Sequence, residues 1–159
     1  LEGIIAGLLT DQKLTLAIAE SCTGGLIADR LTDTPGSSAF FERGVIAYSN
    51  DAKTSLLGVA EDVLRDYGAV SERAAVLMAE GVRNLGGCDL GLATTGIAGP
   101  TGGTEEKPVG TVFIALADGR KTICRNYSFR WDRRRNKAIT SQTALMMLKR
   151  YLEGERKDE

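Results

Sequence analysis

The chain has 159 residues with a formal net charge of −1, 43% apolar residues and 26% charged residues. This composition is that of a globular protein with its own core, and the small net charge excludes a general attraction to nucleic acid or membrane surfaces. The absence of histidine excludes a Ser-His-Asp triad, a Cys-His pair and the usual imidazole metal sites.

The three cysteines indicate a reducing environment. Cys22, Cys88 and Cys124 are odd in number and have no paired spacing, which argues against a disulfide framework and against a zinc site. No apolar run approaches the roughly 20 residues of a membrane span, and the first residues contain no basic segment typical of a signal peptide. We therefore expect a cytoplasmic protein without metal or membrane association.

Apolar spacing and turn residues predict alternating helices and strands. In chain order, we expect a helix over residues 4–12, a strand over 14–19, a helix over 26–31, a strand over 40–48, a helix from 49 to 58, a short helix over 60–67, a long helix over 71–86, a strand over 90–95, a loop over 96–108, a strand over 109–117, a hairpin partner over 121–129 and a last helix over 132–152.

These elements predict a three-layer α/β/α sandwich with a mixed, mostly parallel central sheet, formed by a single domain over residues 1–159 with a polar tail at 153–159. The first strands are expected to be parallel, and the last two, joined by a turn at Asp118 and Gly119, antiparallel. Ligands of such sheets bind beyond the carboxyl ends of the strands. We therefore expect residues 19–25, 48–53 and 96–103 to line one pocket.

Ser21 lies where a predicted strand passes into a helix, a corner that can expose a nucleophile. A serine needs a base to remove its proton, and in a chain without histidine a lysine is the leading candidate. Lys53 falls in the first turn of its helix, where the dipole disfavours a cation. The hydroxyl of Tyr48 could relay a proton between these two residues or protonate a leaving amine. Backbone N–H groups could form an oxyanion hole at Cys22, Thr23 and Gly24.

Plainer interpretations of the same residues stay open. Ser21 or Thr23 could merely cap the helix, Lys53 could be a solvated surface lysine, and Tyr48 could be an ordinary aromatic residue at a strand end. Cys22 is a rival nucleophile, because a helix N-terminus lowers the pKa of a thiol. It could equally be a small buried apolar residue.

The loop over residues 96–103 contains four glycines and matches neither the P-loop nor the dinucleotide-binding pattern. Such a loop lets backbone N–H groups come close to a phosphate or a carboxylate. The arginines around the start of the last helix could grip a phosphate or form a solvated face. The candidate substrate-binding glycines are Gly96, Gly99, Gly102 and Gly103.

Five motifs follow one another along nearly the whole chain. They are Ala19-Glu20-Ser21-Cys22-Thr23-Gly24-Gly25, Phe41-Glu42-Arg43-Gly44 with Tyr48-Ser49-Asn50, Gly68-Ala69-Val70-Ser71, Gly96-Ile97-Ala98-Gly99-Pro100 and Lys107-Pro108-Val109-Gly110-Thr111-Val112. Together they closely resemble the CinA C-terminal domain family, which includes bacterial nicotinamide-nucleotide amidases.

The resemblance implies hydrolysis of the carboxamide of nicotinamide mononucleotide to nicotinic acid mononucleotide and ammonia, in pyridine nucleotide recycling, without a cofactor or metal. It implies a serine nucleophile assisted by a tyrosine and a lysine, which fall on Ser21, Tyr48 and Lys53. It also implies substrate contacts at Thr95, at Gly96 and at Arg133. Trp131 stands where the family often has a glycine.

Other functions stay open at this point. The chain could be a non-catalytic nucleotide-binding or interaction module, or an amidase for another small carboxamide. The expected partner is a small pyridine nucleotide, with no direct nucleic acid binding, and homo-oligomerisation is undecided. Larger members of the resembled family carry an N-terminal domain resembling molybdopterin-binding proteins, and its activity is not expected of these 159 residues.

Overall fold

A computed structural model describes residues 1–155. The helices are α1 (Glu2–Asp11), α2 (Leu26–Thr32), α3 (Asn50–Leu57), α4 (Glu61–Tyr67), α5 (Glu72–Gly86) and α6 (Arg133–Leu152). The strands are β1 (Leu16–Glu20), β2 (Phe41–Ile46), β3 (Leu90–Gly96), β4 (Thr111–Ala117) and β5 (Thr122–Ser128), and a single 3-10 turn covers Ser37–Ala39. Of the polar tail predicted at 153–159, residues 156–159 lie outside the described part of the chain.

The five strands form one mixed sheet in the order β2-β1-β3-β4-β5. The pairs β1–β2 and β1–β3 are parallel, because helical segments carry the chain back to the same edge each time. The pairs β3–β4 and β4–β5 are antiparallel. The hairpin between β4 and β5 is fixed by the Asp118 carboxylate, which accepts from the backbone N–H groups of Arg120 and Lys121. The mixed α/β/α architecture predicted from the sequence is confirmed.

The two faces of the sheet carry side chains of different size. Leu16 and Ile18 of β1 face the layer of α1, α2 and α6 within a core of large aliphatic residues. Ala17 and Ala19, which alternate with them, belong to the core under α5. The small side chains let α5 come close to the sheet, and a Cβ at Gly91 would collide with the Ala79 carbonyl of α5. Helix α5 is therefore a rigid support behind β1 and β3.

Side-chain hydrogen bonds cap the N-termini of three helices. Ser49 accepts from the N–H of Ala52 at 3.0 Å, Ser71 from that of Ala74 at 3.2 Å, and Asp132 from that of Arg135 at 3.0 Å. The plainer interpretation of Ser21 and Thr23 as caps is wrong, because α2 begins only at Leu26 and has no side-chain cap at its N-cap residue Gly25. Ser21 is therefore available for another role.

Strand β2 ends at Ile46 rather than at the predicted residue 48, so Tyr48 lies in the connection to α3 instead of at a strand end. None of the helices within residues 1–155 combines the length and the apolar character needed to cross a membrane.

Candidate active site

A cavity of about 260 Å³ opens at the carboxyl edge of the sheet, just below the range of roughly 300–1,000 Å³ typical of ligand pockets. The three segments expected to share a pocket all line it, joined by Ala69 and Val70 and by the first turn of α6. The predicted site residues that line it are Ser21, Cys22, Tyr48, Lys53, Thr95, Gly96, Gly99, Gly102 and Arg133. Thr23, Gly24 and Gly103 are not among the lining residues.

Ser21 and Lys53 are in direct contact inside this cavity. The Lys53 Nζ lies 3.1 Å from the Ser21 Oγ, and the two residues are 2% and 8% exposed, respectively. Ser21 directly follows β1, and its backbone N–H donates to the carbonyl of Thr94 on β3 at 3.1 Å. Lys53 lies in the first turn of α3, where its own N–H donates to the Ser49 carbonyl. Two rigid elements thus fix the distance between the hydroxyl and the amine.

The environment of Lys53 shifts its protonation equilibrium toward the neutral amine. Burial lowers the pKa of Lys53 below its usual value of 10.5, with a smaller opposing influence from the Cys22 thiol. The other partners of Nζ are the carbonyls of Ala47 at 2.9 Å and Tyr48 at 3.3 Å. No carboxylate within residues 1–155 pairs with this amine. In the structure Nζ is placed as a donor to the Ser21 Oγ. Once the amine has lost its proton, two N–H bonds can satisfy the two carbonyls and the lone pair can accept the proton of Ser21.

Cys22 lines the cavity but is not an activated thiol. It is 6% exposed, and burial raises the pKa of its thiol to about 12. The expectation that a helix N-terminus lowers this pKa is wrong, because α2 begins four residues later and its N–H groups are already bonded to a carboxylate. At neutral pH the thiol stays protonated, so Cys22 is the weaker candidate nucleophile.

The carboxylate that occupies the start of α2 belongs to Glu20, which is 1% exposed. Its two oxygens accept from the backbone N–H groups of Gly25 at 3.1 Å, Ile27 at 3.1 Å and Ala28 at 2.9 Å. The chain between Glu20 and Gly25 is thereby folded into a closed turn that presents Ser21. The N–H groups at the positive, N-terminal end of α2 are bonded to Glu20 and are therefore not open to a ligand.

The oxyanion hole expected at Cys22, Thr23 and Gly24 is present only in part. The N–H of Gly24 donates to the Ser21 carbonyl at 3.1 Å, and Thr23 is fully buried, with its hydroxyl 2.8 Å from that of Thr94. Only Cys22 lines the cavity, and its N–H has no acceptor within the described chain. The N–H groups of Ala98, Gly99, Thr101 and Gly102 likewise have no acceptor among residues 1–155. Unengaged donors are therefore concentrated in the glycine-rich loop.

The glycines of that loop differ in what they do. A Cβ at Gly96 would come within 3.2 Å of the Cys22 Sγ, so this glycine lets the loop pass close to the Ser21 turn. Gly103 packs against the backbone of Val109 away from the cavity lining, where a Cβ would meet the Val109 nitrogen at 2.7 Å. The Thr95 hydroxyl donates to the carbonyl of Ala69 at 2.8 Å and ties β3 to the α4–α5 connection.

Tyr48 and Arg133 meet at the rim of the cavity. The side chain of Arg133 donates to the Gly99 carbonyl at 2.7 Å through Nη1 and to the Tyr48 hydroxyl at 2.9 Å through Nη2. Tyr48 is 58% exposed. Its hydroxyl is thus bound to Arg133 and does not bridge Ser21 and Lys53, which touch without a relay.

Two residues that hold the site together were missed at the sequence level. Asn136 is 1% exposed and donates to the carbonyls of Ala98 at 3.0 Å and Trp131 at 2.9 Å, which fastens the glycine-rich loop to α6. No local pattern marks this asparagine. Glu20 did carry a signal, because an acidic residue that ends an apolar strand just before a helix is well placed to bind the helix N-terminus.

The fold and the site together define a class of protein, an α/β/α sandwich with a buried serine–lysine pair at the carboxyl edge of its sheet. The chain belongs to the CinA C-terminal domain family, whose sequence model matches residues 1–152.

Two relatives show how this chain compares with longer proteins. The CinA-like protein of Syntrophus aciditrophicus (strain SB) is 74% identical over 153 residues, which are 96% of this chain and 36% of that protein. The CinA-like protein of Syntrophotalea carbinolica is 54% identical over 152 residues, with 96% and 37% covered. The chain thus spans little more than a third of the length of these relatives.

Solved structures share the fold over nearly their whole length. The crystal structure of the competence damage-inducible protein A from Klebsiella pneumoniae is similar with a TM-score of 0.93 and 34% identity, covering 96% of this chain and 94% of that one. The competence/damage inducible protein from Agrobacterium tumefaciens gives a TM-score of 0.88 and 40% identity, with 92% of each chain covered.

Proposed function

We propose that the chain hydrolyses the carboxamide of nicotinamide mononucleotide to nicotinic acid mononucleotide and ammonia, with Ser21 as nucleophile and Lys53 as general base. The observation that carries the proposal is the 3.1 Å contact between the Ser21 hydroxyl and a buried amine whose pKa is lowered by burial. The choice of substrate rests on the resemblance of the five motifs to the nicotinamide-nucleotide amidases.

In the first half of the proposed reaction, Lys53 Nζ takes the proton of Ser21 as Oγ attacks the carboxamide carbon. A tetrahedral oxyanion forms. When the C–N bond breaks, the leaving nitrogen receives a proton from the Tyr48 hydroxyl and departs as ammonia, and the acyl group remains as an ester on Ser21. Lys53 then passes the proton that it took from Ser21 to the Tyr48 oxygen and is again a neutral base. In the second half, water attacks the ester and gives a proton to Lys53. The C–O bond breaks, Ser21 regains its proton, and the carboxylic acid is released.

The oxyanion needs hydrogen-bond donors that are free before substrate arrives. The N–H of Cys22 is one candidate, and the N–H groups of Ala98, Gly99, Thr101 and Gly102 are others, because none of them has an acceptor within residues 1–155. The α2 N-terminus does not take this role in the proposal, since Glu20 already occupies its N–H groups.

The phosphate of the substrate is assigned to Arg133. Apart from Lys53, it is the only basic side chain among the described residues that line the cavity, and it lies at the rim. Arginine recognises phosphate through two parallel N–H···O bonds.

The hydroxyl of Tyr48 is proposed to supply the proton to the leaving amine. The proposed reaction uses no cofactor.

The test is ammonia release by the purified chain from nicotinamide mononucleotide, from the riboside and from free nicotinamide, each with and without a chelator. The proposal predicts chelator-insensitive ammonia release with a clear preference for the mononucleotide. Equal rates on all three amides would favour an amidase for another small carboxamide. Binding of the mononucleotide without ammonia release would identify a non-catalytic module, and chelator-sensitive release would contradict the lysine-based scheme.

A further inference from the structure

Three segments of the chain meet in one small hydrogen-bonded bridge across the rim of the cavity. Arg133 comes from the first turn of α6, Tyr48 from the β2–α3 connection, and Gly99 from the glycine-rich loop. The guanidinium binds the carbonyl of Gly99 at 2.7 Å and the hydroxyl of Tyr48 at 2.9 Å. The side chain of Tyr48 is therefore held by Arg133.

The cation in this bridge has only neutral acceptors. No carboxylate within residues 1–155 forms an ion pair with Arg133, and its two partners are a carbonyl and a phenol oxygen. The first turn of α6 contains no acidic residue, and a helix N-terminus disfavours a cation. A dianionic group would therefore compete well for this guanidinium, because it can accept two parallel N–H···O bonds and adds the attraction between opposite charges.

Ser21 and Lys53 do not need Tyr48 to reach each other, since their side chains already touch at 3.1 Å. The hydroxyl of Tyr48 is needed, in the scheme above, only at the step in which the amine leaves. While the Tyr48 hydroxyl is bound to Arg133 at the rim, it is not placed to protonate the leaving nitrogen. The bridge thus separates the assembled nucleophile from its proton donor.

We propose that Arg133 is a latch on Tyr48, which the phosphate of the substrate opens. The phosphate replaces the Tyr48 hydroxyl on the guanidinium, and the freed side chain turns from the rim toward the leaving nitrogen. Arg133 then acts as a specificity-determining residue in the rate of turnover as well as in binding. This inference rests on the proposed amidase function and adds to it that the phosphate switches on the proton donor.

The latch makes a prediction that a simple phosphate contact does not make. In Arg133→Ala, Tyr48 is free at all times, so kcat/KM for nicotinamide riboside, which has no phosphate, rises roughly fivefold, the factor that corresponds to losing one net hydrogen bond. The same variant loses activity on the mononucleotide. A residue that only binds phosphate would leave the rate on the riboside unchanged.

Three further variants complete the experiment. The double variant Arg133→Ala with Tyr48→Phe turns over the riboside no faster than Tyr48→Phe alone, because there is no hydroxyl to release. Arg134→Ala, the matched control on an exposed arginine one position along α6, leaves both substrates unaffected. Phosphite added to the wild type activates hydrolysis of the riboside, and it does not activate Arg133→Ala. A riboside rate that stays level or falls in Arg133→Ala overturns the latch.

A second measurement in the wild type does not depend on turnover. The ring carbon bonded to the Tyr48 hydroxyl is observed by NMR with ¹³C-labelled tyrosine, assigned by its loss in Tyr48→Phe, and ribose 5-phosphate is added as the probe. The latch predicts a chemical-shift change at Tyr48 that saturates with the sugar phosphate. Either no binding or binding without a Tyr48 shift overturns it. If wild type releases no ammonia from the mononucleotide, the proposed function fails, whereas ammonia release with an unmoved Tyr48 removes only the latch.

Discussion

The Lys53 amine has three hydrogen-bond partners, of which Ser21 is the only side chain and the other two are backbone carbonyls. Its Nζ lies 3.1 Å from the serine Oγ, while the carbonyls of Ala47 and Tyr48 take the other two positions at 2.9 and 3.3 Å. A charged ammonium could donate three hydrogen bonds here, but only the neutral amine can accept the serine proton. The chemistry of this site therefore depends on the protonation state of one buried lysine.

The first prediction concerns the pH dependence of catalysis. Because burial lowers the pKa of Lys53, kcat/KM should fall by about tenfold per pH unit below that pKa and level off above it. Lys53→Met should lower kcat by about 100- to 10,000-fold, the range expected for loss of a general base. The exposed Lys13→Met is the matched control and should keep wild-type rates. A pH profile that is flat, or one that is identical in Lys53→Met, would speak against lysine as the base.

The second prediction concerns stability rather than activity. The pKa of Lys53 is lower in the folded protein than in the unfolded chain, so between those two values the unfolded state binds more protons and folding becomes more favourable as pH rises. The contribution can reach about 1.4 kcal/mol per pH unit. Below the folded-state pKa the penalty for burying the amine is fully present, and above about 10.4 it disappears.

Urea denaturation of wild type and Lys53→Met across this pH range checks the sign. The difference in unfolding free energy, wild type minus variant, should increase with pH, and titrating cysteines cancel in the difference because both proteins contain them. A constant difference would mean that Lys53 titrates equally in both states.

The third prediction concerns the thiol beside the nucleophile. With a pKa raised to about 12 by burial, Cys22 should react with iodoacetamide at pH 8 roughly a thousandfold more slowly than a free thiol, since the thiolate is the reactive form. Peptide mass spectrometry after timed alkylation measures the rate, and the urea-unfolded chain is the reference. Labelling of folded Cys22 at the rate of the unfolded chain would show that the thiol is activated after all.

The fourth prediction concerns Glu20 and the turn that carries Ser21. Glu20→Ala leaves the buried N–H of Ile27 and the half-buried N–H groups of Gly25 and Ala28 without their acceptor. A buried donor without a partner costs about 1–3 kcal/mol, so we expect a loss of about 2 kcal/mol or more. Glu20→Gln keeps one acceptor oxygen and should fall between alanine and wild type. Glu106→Ala, on an exposed loop, should stay within about 0.5 kcal/mol. Equal effects at both positions in denaturant titrations would contradict the account of the turn.

The fold was largely readable from the sequence because its signals are local. Apolar runs of strand length, glycines at helix ends and capping residues at Ser49, Ser71 and Asp132 mark most elements. The antiparallel pairing of β3 with β4 was not readable, because it depends on how the chain returns across the loop over residues 96–110. Strand β2 ends two residues before the position predicted from the sequence, because an aromatic residue such as Tyr48 is typical of a strand. The contact of Tyr48 with Arg133 at the rim is a tertiary contact that no local pattern indicates.

The site was readable only as far as chain position determines it. Topology brings residues 21, 53 and 96 to one edge of the sheet, and the sequence reveals that topology. The other features of the site could not be predicted, because they depend on burial and on contacts between residues distant in sequence. The high pKa of the Cys22 thiol, the closure of the α2 terminus by Glu20 and the anchoring of the loop by Asn136 all arise in this way.

The most direct test of the central claim compares ammonia release from nicotinamide mononucleotide by wild type, Ser21→Ala and Cys22→Ala. The account predicts that wild type and Cys22→Ala release ammonia at similar rates and that Ser21→Ala releases none above background. Normal turnover by Ser21→Ala, with activity abolished in Cys22→Ala, would contradict it.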